Sequence, residues 1–178
     1  MPLAFILLLL NLKFLLQATP TTATAADPKT LNITTIAANA QKESVIECWQ
    51  LTAPFIASAA VGTSGAIFAQ LGETGATSYG LIPAKFDGGM HNAPVVQWVA
   101  FLAGEAVVSL PNSTQTAIIH GGRYGLILAA DTAKASTSGH ITKYPSKKET
   151  VAIQIPTANN EIPSHSVLHG GACRQEES

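Results

Sequence analysis

The sequence predicts an all-β sandwich or barrel with little helix, and three observations carry that expectation. Short apolar runs rich in β-branched and aromatic residues recur along the 178-residue chain. Turn signals built from Gly, Pro, Asn and Ser separate them. Beyond the N-terminal segment, no long window keeps apolar residues at helical spacing. With 47% hydrophobic and 12% charged residues, the chain suits one globular domain and not a disordered segment. Ten Lys+Arg against eleven Asp+Glu give a net charge of -1. Without a basic block there is no footprint for a nucleic-acid partner.

Residues 1–25 read as a secretory signal peptide. An apolar run at 3–10 precedes the small-x-small site Ala23-Thr24-Ala25, with cleavage after Ala18 as an alternative. The run is too short for a stable membrane anchor, so the protein is expected to be secreted. Residues 26–44, rich in Thr and Ala, read as a lead-in arm with one short helical turn over 36–41. A single β domain is expected over 45–173. Its strands fall at 45–52, 66–71, 79–82, 95–102, 106–110, 116–119, 124–130 and 150–155. The intervening turns are Gly62-Thr63-Ser64-Gly65, Gly72-Glu73-Thr74-Gly75, Asp87-Gly88-Gly89, Pro111-Asn112-Ser113 and His120-Gly121-Gly122. Residues 174–178 read as a frayed tail.

The two cysteines, Cys48 and Cys173, lie near the ends of this domain in a chain bound for an oxidising compartment. They are expected to pair, the alternative being two buried thiols. Sequons at Asn32 and Asn112 fit the same compartment as glycosylation sites.

Alternation along 93–102 places Ala93, Val95, Gln97, Val99 and Phe101 on one face and Val96, Trp98, Ala100 and Leu102 on the other. Both faces are apolar, which fits a strand covered on one side and lining an interior on the other. Gln97 is then a lone amide in an apolar lining. It must find partners, either a ligand that it orients or backbone and water. Asp131 ends an apolar strand, as an acid or as the cap of a turn. Arg123 and Tyr124 follow Gly121-Gly122 at a barrel mouth. Trp49, Gln50, Trp98 and Phe101 are candidates for substrate contact, with core packing as the alternative for the aromatic residues.

The segment His91-Asn92-Ala93-Pro94-Val95-Val96-Gln97, followed by Gly104 after six intervening residues, resembles the first cupin motif, HxHxxxE then six residues then Gly. The resemblance implies a cupin-like antiparallel β-barrel in which two His, a Glu and a later His bind a divalent metal. Here His91 matches the first His, Ala93 replaces the second, Gln97 replaces the Glu, and His140 stands for the later His. Two imidazoles and a neutral amide are a poor ligand set, so no metal is expected. The chain also lacks a Gly-x-Ser-x-Gly elbow, a phosphate loop, a dinucleotide fingerprint and a zinc-protease motif. No cofactor is therefore expected.

Six stretches look like the fungal cupin-like small secreted proteins. They are Glu47-Cys48-Trp49-Gln50-Leu51, the run from Asp87 to Pro94, the run from Gln97 to Phe101, the run from Gly121 to Leu126, Ala130-Asp131-Thr132, and Ser164-His165-Ser166-Val167-Leu168-His169. That group is similar to the hetero-Diels-Alderases of tropolone sesquiterpenoid biosynthesis. The resemblance implies a cofactor-free enzyme that joins a tropolone quinone methide to a humulene-type alkene. Its partner would be an apolar, ring-containing small molecule. His91, Gln97, Arg123, Asp131 and His140 are the candidates for proton donation and carbonyl polarisation. A secreted binding protein without catalysis and a metal-dependent cupin enzyme are the alternatives.

Overall fold

A computed structural model of the chain describes residues 30–177. The signal peptide expected over 1–25 lies outside the described residues. Among the described residues, thirteen strands and two 3-10 turns make an all-β fold. A seven-stranded sheet carries β13 (His165–Gly170), β2 (Ser44–Pro54), β1 (Thr30–Ala38), β10 (Leu126–Ala129), β7 (Gln97–Ala103), β12 (Thr150–Pro156) and β5 (Ser78–Ile82), in that order. A four-stranded sheet carries β6 (Phe86–His91), β11 (His140–Tyr144), β8 (Glu105–Ser109) and β9 (Thr116–His120). A small hairpin joins β3 (Ile56–Ala57) to β4 (Ile67–Phe68). Among the described strands, all pairings are antiparallel except β1 with β10. The architecture is a sandwich, and no closed barrel forms among the described residues.

The expected arm over 26–44 is corrected by β1. Residues 30–38 form an interior strand, paired with β2 on one side and β10 on the other. Its Thr and Ile residues are β-branched and suit a pleated surface, and Ile33, Thr35 and Ile36 are buried. The strand runs through to Ala38, so the helical turn expected over 36–41 is absent. The sequence Asp87-Gly88-Gly89 is likewise not a simple turn but part of β6. Gly89 adopts φ 63°, and its N–H donates to Asp87 Oδ1. This local bond and the Asp87–Lys143 ion pair hold the Asp87 carboxyl below its ordinary value, the bond to Gly89 being the larger cause.

The large sheet buries apolar residues on both faces, as the composition of the central strand requires. Ile36, Ile46, Val99, Phe101 and Ile127 face the small sheet and pack with Ala106, Val108, Leu110, Ala117 and Ile119. Ile33, Trp49, Leu51, Trp98 and Leu128 form a second cluster on the opposite face. Connecting segments cover that second face. Trp98 Nε1 donates to the Leu71 carbonyl, and Thr157 Oγ1 donates to the Val96 carbonyl. Gly104, at φ 82°, links β7 to β8, and a Cβ there would come within 2.4 Å of Thr150 Oγ1.

Cys48 and Cys173 form a disulfide that ties β2 to the C-terminal segment across a separation of 125 residues. The expected tail is in part ordered by this tie. Gln175–Glu177 make a 3-10 turn whose Glu177 carbonyl accepts from Asn32 Nδ2.

Candidate functional site

Three of the candidate residues meet at one end of the sandwich. His140 on β11 pairs with His91 on β6, and their ring centroids are 4.5 Å apart. Asp131, just after β10, is fully buried and accepts from His140 Nδ1 at 2.8 Å. The same oxygen, Oδ2, accepts the Ser44 hydroxyl at 2.6 Å. Since the Ser44 hydrogen is spent there, Ser136 Oγ donates to Ser44 Oγ at 2.8 Å. Ser136 Oγ in turn accepts the N–H groups of Ser138 and Gly139. Asn92 Nδ2 reaches the carbonyls of Asp131 and Ser136.

This network has the residues of a nucleophilic triad but not its wiring. Ser44 and His140 both bond to Asp131 and not to each other, so the imidazole is not placed to take the hydroxyl proton. Asp131 and Ser136 also accept backbone N–H groups, that of Ala93 and those of Ser138 and Gly139. The arrangement is a polar clamp holding β2, β6, β11 and the 131–139 loop together, which a buried Asp requires. His91 is the exposed member, with Nδ1 against the Gly89 carbonyl at 3.1 Å.

The other candidates lie apart from the clamp. Gln97 is 6% exposed and opens β7, opposite Ala129 and Pro156 in register. Trp98 and Phe101 are core residues in opposite clusters, and Trp49 is buried, stacked on His165 with its Nε1 donating to Glu47. Gln50 Nε2 donates to Asn32 Oδ1. These placements put Trp49, Trp98 and Phe101 in the core packing that was the alternative to substrate contact. Large apolar groups on a doubly covered sheet go to the two cores before they are free for a ligand.

Arg123 and Tyr124 line an open cleft of about 440 Å³. Its walls come from β1, β9, the β9–β10 turn, the β3–β4 hairpin and the segment around Cys173. Leu31, Ile33, Phe55, Ile67, Ile118 and Leu126 make it largely apolar. The Arg123 guanidinium sits 5.5 Å from the Tyr124 ring centroid, and His120 pairs with Glu105 at 3.2 Å. Of the five proposed catalytic residues, Arg123 alone lines this cleft. Sequence reasoning passed over Leu31, Phe55, Ile67 and Ile118. The 60% exposure of Ile118 on β9, unusual for an isoleucine, is the kind of signal that a strand alternation can give.

The two sequons differ in setting. Asn112 is exposed on the β8–β9 turn. Asn32 lies within β1 at the cleft, and its Nδ2, the atom a glycan would occupy, is bonded to the Glu177 carbonyl. Among the described residues, no helix is long and apolar enough to cross a membrane. The disulfide is compatible with a protein of the secretory pathway. No family model matches the chain, and no curated protein matches its sequence.

Proposed function

We propose that this protein is a secreted binder of an apolar, ring-containing small molecule, held in the cleft beside Arg123 and Tyr124. The observation that carries the reading is the cleft itself. Its volume lies in the range of small-molecule sites, and mostly apolar walls are interrupted by polar side chains, Arg123, Tyr124 and His120 among them. A flat ring can lie on Ile118 and Leu126 while an acidic or carbonyl oxygen accepts from the Arg123 guanidinium. Asn112, on its exposed turn, is the better placed glycan acceptor.

The narrower form of the proposal is cofactor-free coupling of a tropolone quinone methide to a humulene-type alkene. It is supported by the resemblance to the fungal cupin-like secreted proteins and by a cleft that can hold two apolar partners against each other. In that chemistry Arg123 polarises the tropolone carbonyl, and His120 or Tyr124 supplies a proton as water leaves. The clamp of Asp131 and His140 then serves the fold and not the reaction.

One experiment separates the two forms. Protein is mixed with a hydroxymethyl tropolone precursor and a humulene alcohol, without metal or nucleotide, and adduct yield and stereochemistry are compared with buffer alone. Faster, stereoselective coupling that is lost in Arg123→Ala supports the enzyme. Saturable tropolone binding with coupling no faster than in buffer supports the binder alone, and absence of both overturns the proposal.

A further inference from the structure

The disulfide has two neighbours of metal-ligating type, His169 and Glu177. Pairing of β13 with β2 sets His169 opposite Cys48, with a register shift between Val167 and His169. The final 3-10 turn carries Glu177 back over the same strand, and its Oε2 lies 3.1 Å from His169 Nε2. The Cys48 sulfur, a ring nitrogen of His169 and a carboxylate oxygen of Glu177 all lie within 4.8 Å of one another. Cys173 brings a second sulfur to the same point through its bond to Cys48. Among the described residues, this is the one such group of three or more.

While the sulfurs are joined, neither is a thiolate, and the site offers only an imidazole and a carboxylate. A dithiol reductant changes this. Two electrons pass to the Cys48–Cys173 bond, which breaks, each sulfur takes a proton, and the dithiol closes to its own disulfide. Two thiols, an imidazole and a carboxylate then share one spot. That is a four-donor set of the kinds zinc takes in tetrahedral sites. Donors at about 2.0 to 2.3 Å from zinc stand under about 4 Å apart, so the two sulfurs must part from bonding distance while the His169 and Glu177 donors close in slightly.

We propose that reductive opening of Cys48–Cys173 creates a tetrahedral zinc site completed by His169 and Glu177. Zinc displaces the two thiol protons and replaces the covalent tie between β2 and the C-terminal segment with a coordinate one. Cys48 is buried and His169 is half-buried, so the ion would be partly shielded from water. This site is independent of the ligand proposed for the cleft, and its test does not use that ligand.

The test uses the whole protein, oxidised or reduced with dithiothreitol that is then removed under anaerobic conditions. Zinc binding is measured by calorimetry, and cobalt serves as the spectroscopic probe. The reduced protein should take one ion per chain, with the visible bands of tetrahedral cobalt and a thiolate-to-cobalt charge-transfer band. The oxidised protein should show neither band. His169→Ala and Glu177→Gln should each weaken zinc about a hundredfold, one donor's share of a four-donor site. If reduction loosens the metal-free chain, zinc should restore the sheet signal in circular dichroism. Octahedral cobalt, zinc affinity indifferent to both substitutions, or a reduced chain that zinc leaves unfolded would each overturn the proposal.

Discussion

His140 Nδ1 lies 2.8 Å from Asp131 Oδ2, with the two side chains only 5% and 0% exposed. The bond joins β11 to the segment after β10, and Ser44 brings β2 to the same carboxylate. A buried carboxylate with two donors on one oxygen is costly to disturb, because removing either donor leaves the other charge or dipole poorly satisfied.

Asp131→Asn and His140→Ala should therefore each destabilise the fold by about 3 kcal/mol. Urea unfolding measures this. An unchanged midpoint for His140→Ala would remove the clamp from the account. Ligand affinity at the cleft should be unaffected in whatever fraction remains folded.

Loss of the Cys48–Cys173 bond should cost about 4 to 5 kcal/mol in the chain-entropy picture, since it closes a loop over a separation of 125 residues. Comparing the Cys48→Ser Cys173→Ser double variant with the oxidised wild type by denaturant unfolding checks the size. In the unfolded but unreduced wild type, an alkylating reagent should find no thiol.

Acid should loosen β6 locally at Gly88 and Gly89, where its register with β11 shifts in a bulge. Asp87 is ionised more readily than its ordinary value of 3.8, because the Gly89 N–H and the Lys143 ammonium favour the carboxylate. A depressed folded-state value means that this contribution is complete above about pH 3.8 and is lost as pH falls through the lower folded value. NMR titration of the Asp87 carboxyl should give a midpoint below 3.8, and the Gly89 amide should shift with it. A midpoint at or above 3.8 would contradict the bulge geometry.

The strands legible in the sequence were those whose pattern is plain. Residues 97–103 and 150–156 alternate or run apolar between turns, and both are strands. β1 was hidden because threonine reads as polar while its methyl group and branched Cβ behave as strand surface. β6 was hidden by Gly88 and Gly89, which mark a bulge here and not a chain reversal. It was the cupin-like resemblance, and not spacing, that put His140 in company with His91, and the two are register partners on β11 and β6. Nothing local could show that Asp131 would join them while Arg123 went to another site, because both facts depend on which strands become neighbours.

The most direct measurement of the central claim is a methyl-group NMR titration of the disulfide-bonded protein with tropolone. The account predicts saturable shifts at Leu31, Ile118 and Leu126, which line the cleft, and affinity about tenfold weaker in Arg123→Ala. Shifts centred instead on inter-sheet core methyls such as those of Val99 and Ile127, or none up to the solubility limit, would contradict it.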